Sequence, residues 1–507
     1  MSVFPSAISE ILQTGRIVAS HAPWPRLNVE AQQWEGVIAQ LAAGTCTLVS
    51  QWGESDRVHM AVRSDSDIFV LSLECPEGCF PSVGAVHSPA IRLERAVNDL
   101  FGLVPTGTSD SRPWLDHGRW GVKHPMGGCS RGSDAPVGYE FLPVEGESLH
   151  TIPVGPVHAG IIEPGHFRFT VNGEAVVRLE ERFGYVHKGI GSLMNGQSVE
   201  RAARIAARTS GDSTVAYSLG FSRAVEAALG IEAPPRAQCI RALMAELERL
   251  ANHCGDIGAI CNDATFTLLH AHCSILREQV LRAADTCFGH RLMMDRIIPG
   301  GVTTDLKSDG KDALRGLLAT FKLRFPKLVA LYDNTPSLQD RTVATGILRK
   351  TLADQYGCGG YIGRASGRSF DARKSIGYPP YDTLVFEVPV LEEGDVGARV
   401  WLRIREVEQS LKLVEQLMVQ LADGATFSEP KPDGDRDREG AALVEGFRGD
   451  IFVWLRLARD GGVGHCHLRD PSWFQWPLLE AAIEGNIVAD FPLCNKSFNC
   501  SYSGHDL

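Results

Sequence analysis

The sequence has no Cys-x-x-Cys pair, although it contains 13 cysteines among its 507 residues. Iron–sulfur clusters and structural zinc sites usually take their thiolates from such closely spaced pairs. The closest groupings are Cys75 with Cys79, Cys494 with Cys500, and the 465–467 triplet (HCH). None of them supplies four ligands at the usual spacings. We therefore expect the cysteines to be mostly reduced and buried, as in a cytoplasmic protein.

Long apolar runs and an excess of basic residues are missing as well. No run reaches the roughly 18 apolar residues that a helix needs to cross a bilayer. Residues 1–10 have neither the basic nor the apolar part of a signal peptide, so we predict none. The net charge of −11 argues against nucleic-acid binding, which needs a basic surface. If the protein serves a membrane process, we expect it to bind there through partner proteins.

The composition that is present is that of an ordinary folded protein. Apolar residues make up 44% of the chain and charged residues 22%, which is typical of globular domains and not of disordered segments. A chain of 507 residues is long enough for two or three domains with a large buried core.

Residues 1–125 are predicted to form a small α+β module. Their helical and strand-like patterns alternate, with apolar spacing of the helical kind in two segments and short β-rich runs in three. The predicted helices are 34–42 and 88–100, and the predicted strands are 46–50, 58–62 and 68–72. Glycine and polar residues then accumulate, so we predict a linker over residues 126–151.

Residues 152–507 are predicted to form a second, mainly helical domain with small β-elements. The domain begins with β-rich sequence, where the Asn172-Gly173 pair favours a hairpin with a type I′ turn. Residues 236–253 and 400–421 place leucine, isoleucine and valine on one stripe of a helix. The fold class expected for the whole chain is α+β.

Two short segments carry the most specific functional signal. Residues 208–213 read RTSGDS and residues 499–504 read NCSYSG. They resemble the R-x-C-G-x-C and D-P-C-x-x-C motifs of [NiFe]-hydrogenase large subunits, whose four thiolates hold the metals. The four matching positions here are Ser210, Ser213, Ser501 and Gly504. Because a protonated hydroxyl binds such metals poorly and glycine offers no ligand, the resemblance implies a degenerate site without a metal.

Further motifs, in the same order as in the family, extend the resemblance over most of residues 90–507. Residues 94–103, 112–118 and 124–125 look like the signature of the 30-kDa subunit of respiratory complex I. From residue 155 onward the chain resembles the complex I 49-kDa subunit and the large subunits of membrane-bound group 4 [NiFe]-hydrogenases. The matching segments include 185–189, 235–238, 299–302, 341–343, 364–367 and 394–395. The fusion of both parts in one chain resembles the large subunit of formate hydrogenlyase.

The resemblance implies roles for five candidate residues. Glu163 matches the carboxylate that passes protons to or from the metal centre, and a solvated loop glutamate is the alternative. His166 lies near the position of a quinone-contacting histidine of complex I, and a structural histidine is the alternative. Tyr217 stands where hydrogenases carry a histidine. Arg448 matches the arginine that overhangs the metal, and without a metal we expect it to pair with Asp212 or to bind an anionic group.

Three functions stay open at this stage. A working hydrogenase lacks support, because the thiolates are missing and Cys500 lies one residue before a ligand position. The chain is also expected to lack the C-terminal extension that is removed from such hydrogenases after metal insertion. A complex I-like redox and coupling subunit without a nickel–iron centre is the favoured interpretation. The alternative is a non-catalytic subunit that transmits protonation or conformational change to membrane subunits.

Cofactors, partners and location are implied by the same resemblance. We expect no cofactor bound by this chain, an iron–sulfur cluster in a small partner subunit, and quinone as the candidate electron acceptor. Antiporter-like membrane subunits are the expected membrane partners, so that electron transfer is coupled to ion translocation. The protein is then an oxidoreductase subunit of the NADH:quinone oxidoreductase or hydrogenase type that evolves no hydrogen on its own. Its expected location is peripheral, on the cytoplasmic side of the inner membrane.

Overall fold

The computed structural model describes residues 14–128, 131–132, 138–158, 162–430 and 437–507. Its strands are β1 Arg16–Ile17, β2 His21–Ala22, β3 Arg26–Val29, β4 Thr47–Gly53, β5 Arg57–Ser64, β6 Asp67–Glu74, β7 Cys79–Pro81, β8 Val104–Thr106, β9 Val122–Lys123, β10 Arg131–Gly132, β11 Leu149–Val154, β12 His166–Asn172, β13 Ala175–Arg182, β14 Ile297–Ile298, β15 Gly301–Val302, β16 Arg438–Glu445, β17 Asp450–Leu457 and β18 Val463–Arg469. Its α-helices are α1 Ala31–Ala42, α2 Ile91–Phe101, α3 Ile190–Met194, α4 Val199–Ala206, α5 Thr214–Leu229, α6 Pro235–Asp263, α7 Thr267–Phe288, α8 Gly310–Asp333, α9 Pro336–Thr342, α10 Lys350–Gln355, α11 Gly360–Ala365, α12 Val396–Gln420, α13 Ser472–Ala482, α14 Phe491–Phe498 and α15 Tyr502–His505. This mixture of helices and sheets confirms the predicted α+β class.

The first sheet is formed by the β-rich runs near the N-terminus. Strands β4, β5 and β6 form an antiparallel meander, and β3 joins β6 in parallel, so the order is β1-β3-β6-β5-β4. The three strands predicted in this region are confirmed. Helix α1 buries Trp34, Val37, Ile38 and Leu41, which recur at helical spacing.

Long helices dominate the second half of the chain. The predicted helix at 236–253 is confirmed, and as α6 it continues to Asp263 with most of its side chains buried. The predicted helix at 400–421 begins earlier, at Val396, because Asp395 caps it by accepting the Ala398 N–H at 2.7 Å. Helix α6 packs against α7 on one side and α12 on another. Buried side chains on most of its faces, both apolar and charged, place α6 in the core.

The hairpin predicted at Asn172-Gly173 is confirmed, but its turn type is not. Asn172 pairs with Ala175 at the end of the β12–β13 ladder, so the two loop residues are Gly173 and Glu174. Only Gly173 has a positive φ, 60°, whereas a type I′ turn needs a positive φ at both loop positions. A positive φ confined to the first loop residue suits a type II′ turn.

A second sheet, in the order β18-β17-β16-β2, crosses the predicted boundary at residue 125. Strand β2 pairs in parallel with β16, His21 opposite Glu439. Arg26 then binds Glu439 with 2.7 Å between Nε and Oε2, and both side chains are buried. The division into domains therefore stays a prediction, since backbone pairing and a buried ion pair connect its two parts. Residues 129–130 and 133–137 of the predicted linker lie outside the described residues.

The core of the helical region contains a buried network of charges. Arg364 donates to Glu406 at 2.5 Å and to Glu445 at 2.8 Å, and all three side chains are at most 1% exposed. A pair between Glu246 and Arg249, three residues apart on α6, is part of the same network, with a closest distance of 3.5 Å, and Glu246 also accepts from Arg373 at 2.9 Å. These contacts connect α6, α11, α12 and the end of β16.

Replacing Arg364 by methionine is expected to destabilise the protein strongly. The change leaves the carboxylates of Glu406 and Glu445 buried without their cation, which costs about 4 kcal/mol of unfolding free energy. The control is Arg315→Met, because Arg315 and its partner Asp312 are 67% and 81% exposed and such a pair contributes less than about 1 kcal/mol. Urea unfolding of the two variants measures the difference, and equal losses would contradict the prediction.

Candidate functional site

The two segments that resemble metal-binding motifs meet in the structure. Ser210 lies in the loop before α5, and Ser501 precedes the short helix α15 at the C-terminal end of the chain. The Ser501 and Ser210 hydroxyl oxygens are 3.4 Å apart, and the Gly504 N–H donates to the Ser501 hydroxyl at 2.9 Å. The four positions noted in the sequence therefore surround one place.

An ion pair between Asp212 and Arg448 joins these segments. The Arg448 Nη1 and Nη2 atoms donate to the two Asp212 oxygens at 2.8 and 2.5 Å, and its Nε donates to the Asn499 carbonyl at 2.6 Å. Ser210 and Ser213 donate their hydroxyl protons to Asp212 Oδ1 at 2.6 and 3.3 Å. Of the two alternatives for Arg448, the structure shows the pair with Asp212.

The charge of Asp212 is strongly stabilised. Burial by itself raises the pKa of this carboxyl, but the Arg448 guanidinium and the serine hydroxyl donors outweigh burial and lower the pKa to about 2. The Arg448 side chain is only 6% exposed, whereas 37% of the Asp212 side chain is accessible. The pair thus forms a boundary of the site, with its cation inside and its anion reaching solvent.

A second pair, between Tyr217 and Asp470, lies on the inner side. Tyr217, in the first turn of α5, is fully buried and donates its hydroxyl to Asp470 Oδ2 at 2.5 Å. The other Asp470 oxygen accepts the Ser472 N–H at 2.8 Å, at the start of α13. Burial, and then the Asp470 carboxylate, raise the pKa of the Tyr217 phenol well above its usual value. Tyr217 is therefore a neutral donor.

Asp470 occupies the space beside Gly504. A Cβ atom placed on Gly504 would lie 2.5 Å from Asp470 Oδ2 and 2.6 Å from Asp470 Cγ, closer than van der Waals contact allows. Position 504 therefore accepts no side chain while Asp470 stays where it is. This contact gives the glycine a steric role that the sequence comparison with cysteine motifs did not suggest.

The donors around this place do not fit a nickel–iron centre. They are hydroxyls, carboxylates and a phenol, whereas nickel and iron of this kind favour thiolates. Cys500 is buried, its sulfur faces the Gln475 side-chain oxygen at 3.9 Å, and burial raises the pKa of its thiol well above the usual value. Within the described residues, no group of three or more His, Cys, Asp or Glu side chains is arranged to hold a metal ion.

Glu163 and His166 are placed less centrally. Glu163 is exposed, and one of its carboxylate oxygens accepts the Ser503 N–H at 3.2 Å, so it touches the C-terminal segment from outside. His166 begins β12, packs against Phe141 with ring centres 5.1 Å apart, and has a pKa that partial burial lowers. Among the contacts of the described residues, none joins His166 to the Asp212–Arg448 pair.

Three residues of the site were missed in the sequence. Asp470 reads there as the start of a helix, because a proline and a serine follow it. Lys188 donates to the main-chain carbonyls of Arg208 and Thr209 at 2.9 and 2.8 Å and so holds the loop before Ser210. Glu248, which stands within the apolar pattern of α6, accepts backbone N–H groups from the first turn of α5. For Glu248, the only signal in the sequence was a carboxylate within the pattern of a buried helix.

The triplet His465, Cys466 and His467 has structural contacts. It lies on β18, where His467 shares a hydrogen bond of 2.7 Å with Ser50 and stacks on Trp52 with ring centres 4.9 Å apart. Burial lowers the pKa of His467 well below its usual value. These neutral rings pack the second sheet against the first.

Comparison with known protein families gives a match over part of the chain. The family model described as "Respiratory-chain NADH dehydrogenase, 49 Kd subunit" matches residues 263–436. The "Carbon monoxide-induced hydrogenase" of Rhodospirillum rubrum is 31% identical over 69% of this chain and 98% of the relative. "Formate hydrogenlyase subunit 5" of Escherichia coli K12 is 30% identical over 84% of this chain and 77% of the relative.

A solved structure supports the same relationship. It is titled "Structure of the membrane-bound sulfane sulfur reductase (MBS), an archaeal respiratory membrane complex", and one of its chains matches with a TM-score of 0.66 and 26% identity. The match covers 72% of this chain and all of the other chain. The similarity is thus one of fold as well as of sequence.

The steric contact at Gly504 predicts a rescue between two positions. Gly504→Ala should lower the unfolding free energy by about 1–3 kcal/mol, because the added methyl group collides with Asp470. Asp470→Gly in the same chain should recover part of that loss, so the two effects are non-additive. Gly211→Ala is the control, since a Cβ there meets nothing within 4 Å. Additive losses in the double variant would count against the contact.

Replacing Asp212 by asparagine should destabilise the protein in a pH-dependent way. The loss is expected to be about 2 kcal/mol, below that of a fully buried pair because Asp212 retains solvent contact. Since the folded pKa is about 2, below the usual 3.8, the stabilisation by Asp212 is complete above 3.8 and is lost as pH falls towards 2. Urea unfolding of the wild type and of Asp212→Asn at decreasing pH measures this. The difference between their unfolding free energies should narrow only between pH 3.8 and about 2.

Proposed function

The chain belongs to the family that comprises the complex I 49-kDa subunits and the large subunits of group 4 [NiFe]-hydrogenases, and we propose that it is a subunit of a complex I-like, membrane-associated oxidoreductase that works without a nickel–iron centre. One observation supports the proposed absence of a nickel–iron centre. The place where the four ligand positions converge is filled by the Asp212–Arg448 and Tyr217–Asp470 pairs. Gly504 makes room for Asp470 and provides no ligand.

The names of the relatives support the proposal that the chain is a subunit of a complex I-like, membrane-associated oxidoreductase. They include hydrogenases, NADH-quinone oxidoreductase subunits, among them a C/D subunit of Bacteroides thetaiotaomicron that is 28% identical over 83% of both chains, and a respiratory membrane complex that reduces sulfane sulfur. One family fold thus serves several electron acceptors. A change of acceptor in this chain, with the fold retained, follows the same pattern.

The proposed redox role is electron transfer from an iron–sulfur cluster in a small partner subunit to an acceptor, with quinone as the candidate. Reduction of a quinone to a quinol consumes two electrons and two protons. The electrons would come from the partner cluster, and the protons from acidic groups near the head group. Tyr217 is a neutral phenol in the site, and His166 and Glu163 lie nearer the surface.

The alternative is a coupling subunit without a reaction of its own. It is favoured by the way in which the polar groups satisfy one another. Asp212 accepts hydrogen bonds from Arg448, Ser210 and Ser213, and Tyr217 donates its hydroxyl to Asp470. A site of this kind offers a substrate few free donors, but its ion pair can respond to charge and transmit a shift between chain segments.

Membrane partners complete the proposal. None of the helices in the described residues is both long and apolar enough to cross a membrane. We therefore propose attachment through antiporter-like membrane subunits, with this chain on the cytoplasmic side of the inner membrane, and coupling of electron transfer to ion movement.

Metal analysis of the purified complex tests the missing centre. We expect iron from the partner subunit and no stoichiometric nickel, because hydroxyl and carboxylate donors replace the thiolates. The iron content is the internal control that shows the complex to be intact. Nickel at one atom per chain would contradict the proposal.

A quinone analogue separates the redox function from the coupling function. If quinone is the acceptor, the analogue should inhibit turnover and slow hydrogen exchange of the first turn of α5, around Tyr217, and Tyr217→Phe should weaken both effects. Gly211→Ala, which changes the same loop without losing a polar group, should leave them unchanged. Turnover that is insensitive to every quinone-site inhibitor would favour the coupling function.

A further inference from the structure

A cleft leads from the protein surface to the outer side of the candidate site. It has room for about 120 Å³ and lies between α6, α7, the loop after α7 and the turn at Gly211–Ser213. Its polar lining comprises Asp212, Glu248, Asn252, Arg277 and Arg291, and the remainder is largely apolar. Asp212 thus lines this cleft and also forms the ion pair with Arg448.

Glu248 is the buried acidic group of the cleft. It is 7% exposed, and its two oxygens accept the Val215 and Ala216 N–H groups at 2.7 and 3.1 Å. These N–H groups belong to the first turn of α5, the turn that also carries Tyr217. One carboxyl group therefore touches the cleft on one side and holds the backbone of the candidate site on the other.

Asn252 connects the same two parts. One turn after Glu248 on α6, its side-chain amide donates to the Asp212 carbonyl at 2.8 Å and to the Glu248 carbonyl at 2.9 Å. The backbone from Asp212 to Ala216 is thus bound to α6 by three hydrogen bonds, two of which end on the Glu248 carboxyl group.

Charged groups of both signs surround Glu248. Asp212 faces it from the turn before α5, Arg249 lies next to it on α6, and Arg277 and Arg291 line the opposite side of the cleft. Arg249 directs its guanidinium away, to the Glu445 and Gly446 carbonyls. Burial, and to a lesser degree Asp212, raise the pKa of Glu248, whereas the Val215 and Ala216 N–H donors lower it. The balance raises the pKa to about 8.

We propose that Glu248 is a proton-binding site, filled from solvent through this cleft, whose proton occupancy is coupled to the charge of the Asp212–Arg448 pair. The step is a simple protonation, in which the carboxylate takes a proton that enters from bulk solvent through the cleft as hydronium, a water molecule is released, and no electron is transferred. A protonated oxygen is a poorer acceptor, so proton uptake weakens one of the two bonds to the first turn of α5. Added negative charge in the site favours uptake, and positive charge favours release.

Only the link between proton uptake and reduction of the site rests on the proposed function. If electrons reach the site, each arriving negative charge raises the proton affinity of Glu248, and uptake from the cleft accompanies reduction. Proton binding by Glu248 itself requires no electron transfer. A negative result in the metal or quinone experiments would therefore leave the titration of Glu248 unaffected, and the two ideas can fail separately.

Infrared difference spectroscopy of the full-length protein tests the proton site. Between about pH 6 and about pH 10, the band of protonated carboxyl groups should decrease with a midpoint near pH 8. Glu248→Gln should remove this component. Glu246→Gln is the matched control on the same helix, because neighbouring arginines lower the pKa of Glu246 and keep it ionised in this range. Persistence of the component in Glu248→Gln would overturn the assignment.

Hydrogen exchange of the wild-type protein provides a test that needs no variant to fold. Exchange of the Val215 and Ala216 amides should become slower, relative to the intrinsic rate, as the pH rises through 8 and the carboxylate forms. No change across this range would count against the proposal.

Asp212→Asn tests the coupling. Removing the negative charge, and leaving Arg448 unpaired, should move the Glu248 midpoint to lower pH in both measurements. An unchanged midpoint would refute coupling to the ion pair.

Discussion

The Asp212–Arg448 ion pair is the interaction on which the candidate site depends, because it joins segments that lie 236 residues apart in the chain. The same guanidinium binds the Asn499 carbonyl and so holds the C-terminal segment as well. A planar guanidinium with several donors in one plane can serve both partners at once, which an ammonium cannot do with the same geometry. A salt bridge and hydroxyl groups thus connect the two segments.

Arg448 is held in place by the buried charges behind it. It follows the end of β16, where the Glu445 carboxylate accepts from Arg364 and the Glu445 carbonyl accepts from Arg249. On its other side, Gly360 approaches so closely that a Cβ there would collide with the Arg448 carbonyl, and Gly360 has a φ of 67°. Burying so many charges stabilises the fold little overall, since desolvation offsets their attraction. Their effect is to define one geometry, because breaking any pair leaves a charge buried alone.

The local structure was largely predictable, and the contents of the site were not. Helices α6 and α12 and the β12–β13 hairpin follow from apolar spacing and turn residues, which act over a few positions. The type I′ turn was wrong, because the register ended at Asn172 and placed Gly173 first in the loop. Asp470 escaped prediction because its partner Tyr217 lies 253 residues away, and Glu248 because its partners are backbone N–H groups, which leave no trace in a side-chain pattern.

The sequence by itself determined the family, the α+β class and the loss of the four thiolates, since each of these depends on residue types and their spacing. The tertiary structure alone decided what stands in their place. Whether Ser210, Asp212 and Tyr217 act together with Arg448 and Asp470 depends on which distant segments pack side by side. Burial then determines the charge of each group, because the free energy of ionisation depends on desolvation and on neighbours that the chain order does not reveal.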